Sequence, residues 1–475
     1  MAYKYGNREQ ITFLPETVDS YVSEDDPVRA YDAFIDAIDM KELGLEINDN
    51  SVGNSSYDPI SMLKVLVYGY SYGWRSSRKL ERALHHNLSF IWLAGGLKPD
   101  HKTIANFRKN NKSVLKNVLK QCVRMCMKLD LIDGNVLFVD GSKFRANAGN
   151  SQTKSKEAWT KILSSVETRI EQLLNDCQKI DEGESESLVK MKSELKSKEK
   201  LKAKIGELIE EIKEDKAING TDPDCKIMKS RQGSHVGYNA QFVVDEANGL
   251  IASTDAVDEV TDKRQLNEQV EKAEAIIGKV SEIVCADAGY HKVDALKPLL
   301  DNGRVVIVPS NKQAQHLPKN NPFDKASFRY NVEKDIYTCP EGKEMYRSYQ
   351  ATGSNKITYR MKKEGVCKAC KHYGVCTISQ RGRTLIRLVN EHTQTHLKDC
   401  YDSSSGQAIY VKRKMKVELP FGHIKRNLGA GAFLLRGLKG VNAELSILAS
   451  CFNITRLITL LGGVRPMIQQ IKQMN

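Results

Sequence analysis

The sequence has no apolar segment long enough to cross a membrane. No stretch approaches the roughly 20 uninterrupted apolar residues that a transmembrane helix needs. The chain begins MAYKYGNREQITFLP and has no apolar core after a basic start, so no secretory signal is indicated. Without such a signal, its 11 cysteines do not indicate a disulfide framework. We therefore expect a cytoplasmic protein with no membrane partner.

Acidic residues are fewer than basic ones. The chain has 59 Asp and Glu against 72 Lys and Arg, which gives a net charge of +13. Such an excess favours polyanionic partners through counterion release, but many basic proteins bind no nucleic acid. At 475 residues, 40% of them hydrophobic, the chain exceeds what one core usually supports, so we expect about two to four structural units.

Residues 1–132 are predicted to form an N-terminal helical domain. Apolar residues recur at helical spacing from Asp58 onwards, and Asp100 opens a further helix. The basic surface of these helices belongs either to a solvated bundle or to a DNA-binding domain, in which the helix after Asp100 presents its first turn to DNA. In the second case the expected DNA contacts are Arg75, Arg78, Lys102 and Arg108.

Residues 133–310 alternate between strand and helix patterns. This order predicts a mixed sheet with helices on its faces. The expected elements are a strand Val136–Val139 that ends in Asp140, a hairpin of Tyr238–Val244 and Leu250–Thr254, a helix Gln265–Ile277, a strand Glu282–Ala286 that ends in Asp287, a helix Val293–Leu300 and a strand Val305–Val308.

Two inserts interrupt this pattern. Residues 151–218 are rich in Lys and Glu, with apolar residues at helical spacing, and predict an antiparallel helical hairpin. The hairpin is either a spacer, a DNA clamp or a dimer contact. Residues 311–385 contain a cluster of cysteines, and helical sequence resumes from residue 386 to residue 475.

Asp140 and Asp287 are candidate metal ligands because each follows an apolar strand. Carboxylates on adjacent strand ends lie about 4.8 Å apart and can bridge metal ions about 3.5 to 4 Å apart. Mg²⁺ prefers such oxygen ligands. A single aspartate at a strand end is ordinarily a turn or cap residue, but two in this strand order weaken that alternative.

A third acid is expected on a helix near the C-terminus, and Glu418 is the candidate. Tyr410, Arg413, Glu418, Phe421 and Lys425 fall on one side of a helix. That side is either a phosphate-handling edge or an ordinary charged helix face. Pro420 and the nearby Gly422 are expected to kink or interrupt this helix.

Three segments carry a family resemblance through their order along the chain. They are Phe-Val-Asp-Gly-Ser-Lys-Phe around Asp140, Cys-Ala-Asp-Ala-Gly-Tyr around Asp287, and, over 410–425, Tyr, two residues, Arg, then Glu, six residues, Lys. Together they resemble bacterial insertion-sequence DDE transposases, most closely the subgroup of insertion sequence eleven-eighty-two. The segments near residue 100 and at 235–241, and the cysteine-rich insert, extend the similarity over most of the chain.

The resemblance implies an RNase H-like catalytic domain, with a mixed five-stranded sheet, at residues 133–310 and 386–475. Asp140, Asp287 and Glu418 would bind two Mg²⁺ or Mn²⁺ ions. One ion would activate water or a 3′-hydroxyl and the other would stabilise the leaving oxygen during in-line attack.

The resemblance also assigns DNA-positioning roles to Tyr410, Arg413 and Lys425. The family pattern has three residues between Arg and Glu, whereas four separate Arg413 from Glu418, so Lys414 is an alternative to Arg413.

Other polar residues near these segments are candidate DNA contacts. Asn239 and Gln241 lie two positions apart, hence on one strand face, and either point toward the site or have a structural role. Lys143 and Arg145 follow Asp140 and either meet phosphate or lie free in solvent.

The clustered cysteines predict a structural zinc site. Cys339, Cys367, Cys370 and Cys376 supply four soft ligands in a polar insert that has a poor core of its own. Unmetallated thiols or an iron–sulfur site are the alternatives, and His372 and Cys400 are reserve ligands.

The resulting hypothesis is a DNA transposase that cleaves and transfers strands at the terminal inverted repeats of its own insertion sequence. Its partners would be the terminal repeats and target DNA at the nucleoid, with a homo-oligomer, expected to be a dimer, assembled on DNA. A structure-specific nuclease of related fold, and a catalytically inactive transposase-derived DNA-binding protein, remain alternatives.

Overall fold

The computed structural model describes residues 17–47, 57–179, 185–212, 217–230, 233–315, 322–353 and 355–474. The chain divides into two units. Unit 1 comprises Met1–Asp262, Gln269–Ser281 and Lys414–Asn475, and unit 2 comprises Lys263–Glu268 and Glu282–Arg413. The N-terminal helices and the strand that contains Asp140 therefore belong to the same unit.

Unit 1 begins with helices, and capping residues in the sequence mark where several of them start. Asp26, Asp58 and Asp100 each cap a helix by accepting a first-turn N–H, the last from Thr103 at 2.7 Å. The predicted helix after Asp100 is confirmed. The helices are α1 (Pro27–Asp36), α2 (Met40–Leu43), α3 (Pro59–Ser71), α4 (Ser77–His86), α5 (Leu88–Leu93), α6 (His101–Asn110) and α7 (Lys112–Lys128).

The strands of unit 1 pair around the long strand β5. β5 pairs antiparallel with β1 along one edge and with β4 and β6 along its other edge. The predicted hairpin is confirmed as β5 and β6. The strands are β1 (Val136–Arg145), β2 (Thr153–Lys154), β3 (Ile218–Asn219), β4 (Lys226–Ser230), β5 (Gly233–Asp245) and β6 (Ile251–Val257).

Strand β1 runs further than the sequence predicted. The expected end at Val139 is wrong, because pairing continues to Arg145, which opposes Gly237 of β5. Asp140 opposes Phe242 in mid-strand and is not at a strand end. The apolar pattern stops at Asp140, but the backbone of β5 is long enough to pair with the polar residues that follow.

The predicted helical hairpin is present in unit 1. It consists of α8 (Lys156–Lys179) and α9 (Ser185–Glu211), and the short pair of β2 and β3 closes its base. Trp159 donates its indole N–H to the Ile218 carbonyl at 3.3 Å and packs over Gly220, where a Cβ would lie 2.5 Å from the ring. The hairpin core contains Trp159, Val166, Ile205, Leu208, Ile212 and Ile218.

Helix α15 (Gly437–Leu460) packs against α7, α3 and β6, and α16 (Val464–Met474) follows it. By length and composition, α15 is the one helix among the described residues that could cross a membrane, but 72% of its apolar window is buried inside the protein. This apolar composition is that of a core helix, because α15 is packed on several sides by other elements of unit 1.

Two asparagines of α15 bond the free edge of β6. The Asn453 side chain accepts the Ile251 N–H at 2.9 Å and donates to the Ile251 carbonyl at 2.8 Å. Asn442 does the same with Ala256, at 2.7 and 3.1 Å. Eleven helical residues rise about 16.5 Å, the length of about five strand residues, so both amides meet the strand in register.

A buried ion pair fixes the N-terminal helices to α15. Arg75 donates to Glu444 Oε1 at 2.9 Å and to two main-chain carbonyls at 2.8 Å. Glu444 is fully buried, and its second oxygen accepts the N–H groups of Leu434 and Leu435 at 2.8 and 2.9 Å. Burial raises the pKa of Glu444, and the Leu435 N–H and the Arg75 charge oppose that shift.

Unit 2 contains a parallel strand pair and a separate antiparallel sheet. β7 (Ile283–Ala286) and β8 (Val305–Ile307) pair in parallel. In the cysteine-rich insert, antiparallel pairing gives the order β13-β12-β11-β10-β9. These five strands are β9 (Arg329–Asn331), β10 (Ile336–Thr338), β11 (Glu344–Tyr349), β12 (Lys356–Met361) and β13 (Leu385–Leu388).

The insert sheet encloses a small core, and the other elements of unit 2 are helices. The core consists of Phe328, Tyr337, Met345, Ile357, Tyr359 and Leu385. Helices α10 (Gln265–Ile277) and α14 (Ser404–Gly422) each contribute residues to both units, whereas α11 (Val293–Asp301), α12 (Asn311–Ala314) and α13 (Glu391–Asp402) belong to unit 2. The predicted mixed α/β fold with an N-terminal helical region is confirmed.

Replacing Glu444 with alanine is expected to lower the free energy of unfolding by about 3–5 kcal/mol, because Arg75 would remain buried without its counter-charge. Chemical denaturation of the purified chain measures this. Glu444→Gln should cost less, since the amide oxygen still accepts an N–H. Glu210→Ala, on an exposed helix face, is the control and should stay within about 0.5 kcal/mol. A loss below about 1 kcal/mol for Glu444→Ala would contradict the prediction.

Candidate active site

Strand β1 presents Asp140 on one of its two faces. Side chains alternate along a strand, and directly opposed residues of an antiparallel pair share a face. Asp140 opposes Phe242, and Ser142 opposes Ala240, so these four side chains lie on one face, which we call the Asp140 face. The Asp140 carboxylate is half-buried and accepts the N–H of Gly141 at 2.9 Å.

The end of α14 and the turn after it pack on the Asp140 face. The Phe421 ring meets the Phe242 ring edge-on, with 4.5 Å between centroids. The Lys425 amine donates to Ser142 Oγ at 2.6 Å and to the main-chain oxygen of the next residue at 3.0 Å. Burial lowers the pKa of Lys425. Phe421 and Lys425 thus fix this end of α14 over β1 and β5.

Glu418 shares a helix side with these two residues. It precedes Phe421 by three positions and Lys425 by seven, the spacing of neighbours along one side of a helix. Its side chain is exposed. Unit 1 by itself therefore joins the helix side of Glu418 to the strand face of Asp140.

The predicted helix interruption takes the form of a π-helical turn. Helix α14 continues through Pro420 to Gly422, and residues His423–Asn427 form the π turn. Pro420 has no N–H, so it cannot make the helical hydrogen bond to the carbonyl of Lys416. Single π turns recur at functional sites, and Lys425 lies within this one.

A buried polar cluster occupies the opposite face of β1 and β5. Asn239 and Gln241 donate to Asp262 Oδ1 at 2.6 and 2.7 Å, and Lys143 Nζ lies 3.6 Å from the same oxygen. Both amide side chains are fully buried. These expected DNA contacts therefore face away from Asp140 and have an internal partner, whereas Arg145 is exposed.

Asp262 belongs to none of the motifs recognised in the sequence. The signal for it was the pair Asn239 and Gln241 on one face of an otherwise apolar strand, because buried amides require a polar partner. Gly141, which follows Asp140, completes the cluster. A Cβ there would lie 2.5 Å from Gln241 Nε2 and 2.7 Å from Asp262 Oδ1, so a larger residue would have to displace the side chains of the cluster.

Unit 2 brings Asp287, Tyr410 and Arg413 together. As predicted, Asp287 follows β7, and it caps a short turn by accepting the Gly289 N–H at 2.8 Å. The Arg413 guanidinium lies 5.8 Å from the Tyr410 ring, and both residues are buried. Burial raises the pKa of Tyr410, the Arg413 charge lowers it, and the Asp287 charge raises it.

The four N-terminal basic residues expected to contact DNA divide into two pairs. Arg75 and Arg108 are each 9% exposed, and Arg108 donates to the Arg75 carbonyl at 2.7 Å. These two side chains are thus bound inside unit 1. Arg78 and Lys102 are exposed on α4 and α6, together with Lys79, Arg82 and Lys109.

The clustered cysteines Cys339, Cys367, Cys370 and Cys376 line one pocket of unit 2. Burial raises the pKa of Cys376, and the other three cysteines raise it further. The Arg383 main-chain N–H donates to Cys367 Sγ at 3.5 Å. Among the described residues, no three His, Cys, Asp or Glu side chains are arranged as a metal-binding group.

Two family models match the chain. A Transposase domain (DUF772) matches residues 16–110, which include α1 to α6. A Transposase DDE domain matches residues 338–458, which include Tyr410, Glu418 and Lys425.

The comparisons with individual proteins add little to these matches. No curated protein matches the chain. A solved structure of a piggyBac transposase synaptic complex with hairpin DNA is 11% identical, with a TM-score of 0.33 over 94% of this chain and 79% of that chain. Two transposase models match separate regions in the order expected from the sequence, and together they support an insertion-sequence DDE transposase.

Proposed function

We propose that this transposase cleaves DNA at the terminal inverted repeats of its own insertion sequence and joins the ends to target DNA. It would act as a dimer on DNA in the bacterial cytoplasm. The observation that carries the proposal is the packing of Phe421 and Lys425 on the Asp140 face, which joins the helix of Glu418 to the strand of Asp140.

The proposed catalytic ligands are Asp140, Asp287 and Glu418. Carboxylate oxygens suit Mg²⁺ or Mn²⁺, and two such ions, when bound, would stabilise the attacking and leaving oxygens of an in-line displacement. The corresponding fold is an RNase H-like sheet of five strands, β1, β5, β6, β7 and β8. It is supported by the antiparallel pairing of the first three and the parallel pairing of the last two.

Lys425 and Arg413 would supply positive charge near these carboxylates. The Lys425 amine is held by Ser142, two residues beyond Asp140 on the same strand face, where it would orient a DNA phosphate. Arg413 is held against Tyr410 in the part of unit 2 that contains Asp287. The buried position of Arg413 favours a role in orienting neighbouring groups over direct contact with DNA.

The variants Asp140→Asn, Asp287→Asn and Glu418→Gln should each slow DNA cleavage by about a thousandfold, or about 4 kcal/mol, because each removes a metal-binding charge. Binding to the terminal repeat should persist. Cleavage with Mg²⁺ and binding without it, both on DNA that carries the flanking ends, measure the two effects. Joined products would separate transposition from simple nuclease activity.

Glu271→Gln, an exposed acid on α10, is the matched control and should cleave like the parent. Glu418→Cys should be inactive with Mg²⁺ and partly restored by a softer metal such as Mn²⁺, which identifies a ligand directly. Near-normal cleavage by Glu418→Gln would show that the third ligand is misassigned. Glu391 would be tested next, since Glu444 is fully buried in the core with Arg75, whereas Glu391 is partly exposed and paired with Lys325.

The exposed bases of α4 and α6 are proposed to bind the terminal repeat. The double variant Arg78→Gln and Lys102→Gln should weaken binding to end DNA more than to random DNA. It should also reduce the slope of log K against log salt by up to about 2 in magnitude, since each lost phosphate contact removes about 0.9 from that slope. Lys128→Gln, at the exposed end of α7, is the control. Equal loss on both DNAs would mean that end recognition lies elsewhere.

The cysteine pocket is proposed to hold a structural Zn²⁺. Four thiolates match the preference of zinc, and all four cysteines line the same pocket. Since the described side chains do not form a preset metal group, the sulfurs would close around the ion by side-chain rotation.

Purified protein should then contain about one zinc per chain. Cys370→Ser should lose most of that zinc and melt at a lower temperature. Elemental analysis and thermal unfolding provide the measurements. Cys400→Ser is the matched control, because Cys400 is half-buried in α13, where its sulfur lies 3.6 Å from His396. Zinc below about half an equivalent in the parent, with no change in Cys370→Ser, would contradict the site.

A further inference from the structure

Helix α9 carries four lysines at intervals of four residues, which we call the lysine ridge. They are Lys192, Lys196, Lys200 and Lys204, and all four are exposed. Residues four apart are neighbours on a helix and rise about 6 Å per step, so the ridge is about 18 Å long.

Packing of the hairpin does not explain the ridge. The buried residues of α9 are Ile205, Leu208 and Ile212, which join Trp159 and Val166 of α8 in the hairpin core. At 100° per residue, the ridge lies on other sides of the helix than these core residues. The lysines are therefore free to meet a partner outside the hairpin.

Ion pairing does not explain the ridge either. Among the described residues, none of the four lysines lies within 4 Å of a carboxylate, whereas Lys202 pairs with Glu167 at 2.9 Å and Arg169 with Glu194 at 3.0 Å. Like charges four residues apart destabilise a helix by about 0.2–0.5 kcal/mol for each pair. The ridge contains three such pairs and is flanked by two acids, Glu199 and Glu207, neither of which lies within 4 Å of a basic group among the described residues. The repulsion along the ridge is thus offset only by these two acids, at the spacing of three residues from Lys196 and Lys204.

We propose that the lysine ridge binds the phosphate backbone of DNA, separately from the catalytic ligands and from the bases of α4 and α6. Phosphates of one strand follow each other by about 3.4 Å along the duplex, so a step of about 6 Å brings a lysine to about every second phosphate. Bound DNA would cancel the repulsion along the ridge and release counterions. This inference rests on the proposed function in one respect: DNA is taken as the polyanion that the lysines bind.

Such binding would be independent of DNA sequence, because the ridge offers only long, flexible point charges. Contacts of this kind position a duplex but do not read its bases. The helical hairpin would thus act as a clamp on DNA beside the sequence recognised at the ends.

The test compares two triple variants that remove the same charge from the same helix. Lys196→Gln, Lys200→Gln and Lys204→Gln together disrupt the ridge, and Lys190→Gln, Lys198→Gln and Lys202→Gln together are the matched control. The full-length chain is titrated with a random duplex, without Mg²⁺, at several salt concentrations. The ridge variant should lose about 2.7 from the slope of log K against log salt, at about 0.9 per contact, and the control less than about 1.

Circular dichroism should show the helix content of both variants unchanged, since glutamine is a good helix former. Equal slope loss in both variants would overturn the ridge as a site, and unchanged slopes would show that the hairpin does not touch DNA. A parallel titration with phosphatidylserine vesicles provides a second check. If the ridge variant loses vesicle binding but keeps its DNA slope, the partner is a membrane surface. No cleavage is measured, so failure of the catalytic assignment leaves this result intact.

Discussion

The hydrogen bonds between α15 and β6 hold the C-terminal part of unit 1 to its sheet. Asn442 and Asn453 each bond both main-chain groups of one residue of β6, and both amides are buried. Their spacing permits one helix position only, because a shift of one residue would misplace both amides. Glu444, between them, then reaches Arg75 and fixes the N-terminal helices to the same helix. Three polar side chains of this largely buried helix thereby fix its position against the sheet and the N-terminal helices of unit 1.

This arrangement bears directly on the candidate active site. The segment between the π turn and α15 supplies the main-chain groups that surround Arg75 and Glu444, including the carbonyls of Gly429 and Ala432. The π turn that contains Lys425 is therefore anchored on its C-terminal side by the core. On the other side, the contact of Phe421 on β5 anchors the end of α14. Phe421 and Lys425 are thus held by contacts within unit 1, and the proposed active site would be preorganised to that extent.

Much of the fold could be predicted from the sequence, because helix caps and apolar periodicity act locally. The cap at Asp100, the β5 and β6 hairpin and the strand before Asp287 are examples. The C-terminal end of β1 could not be predicted, because its polar half forms a strand only through pairing with β5. Arg75 looked like a surface base for the same reason: its partner is 369 positions away. For the candidate site, the sequence indicated the acids but not that Asn239 and its neighbours bond Asp262 on the opposite face.

The hydrogen bonds of Asn442 and Asn453 to β6 also protect the protein against aggregation. Within the described part of unit 1, β6 pairs only with β5, so its outer edge would display open N–H and C=O groups if α15 were absent. Open edges of this kind add strands from other molecules and promote aggregation. The side-chain amides that cover the edge are uncharged, so neither pH nor salt would release it. A chain truncated before residue 437 would leave the outer edge of β6 uncovered, and we expect such a copy to aggregate rather than to persist as an inactive DNA-binding competitor.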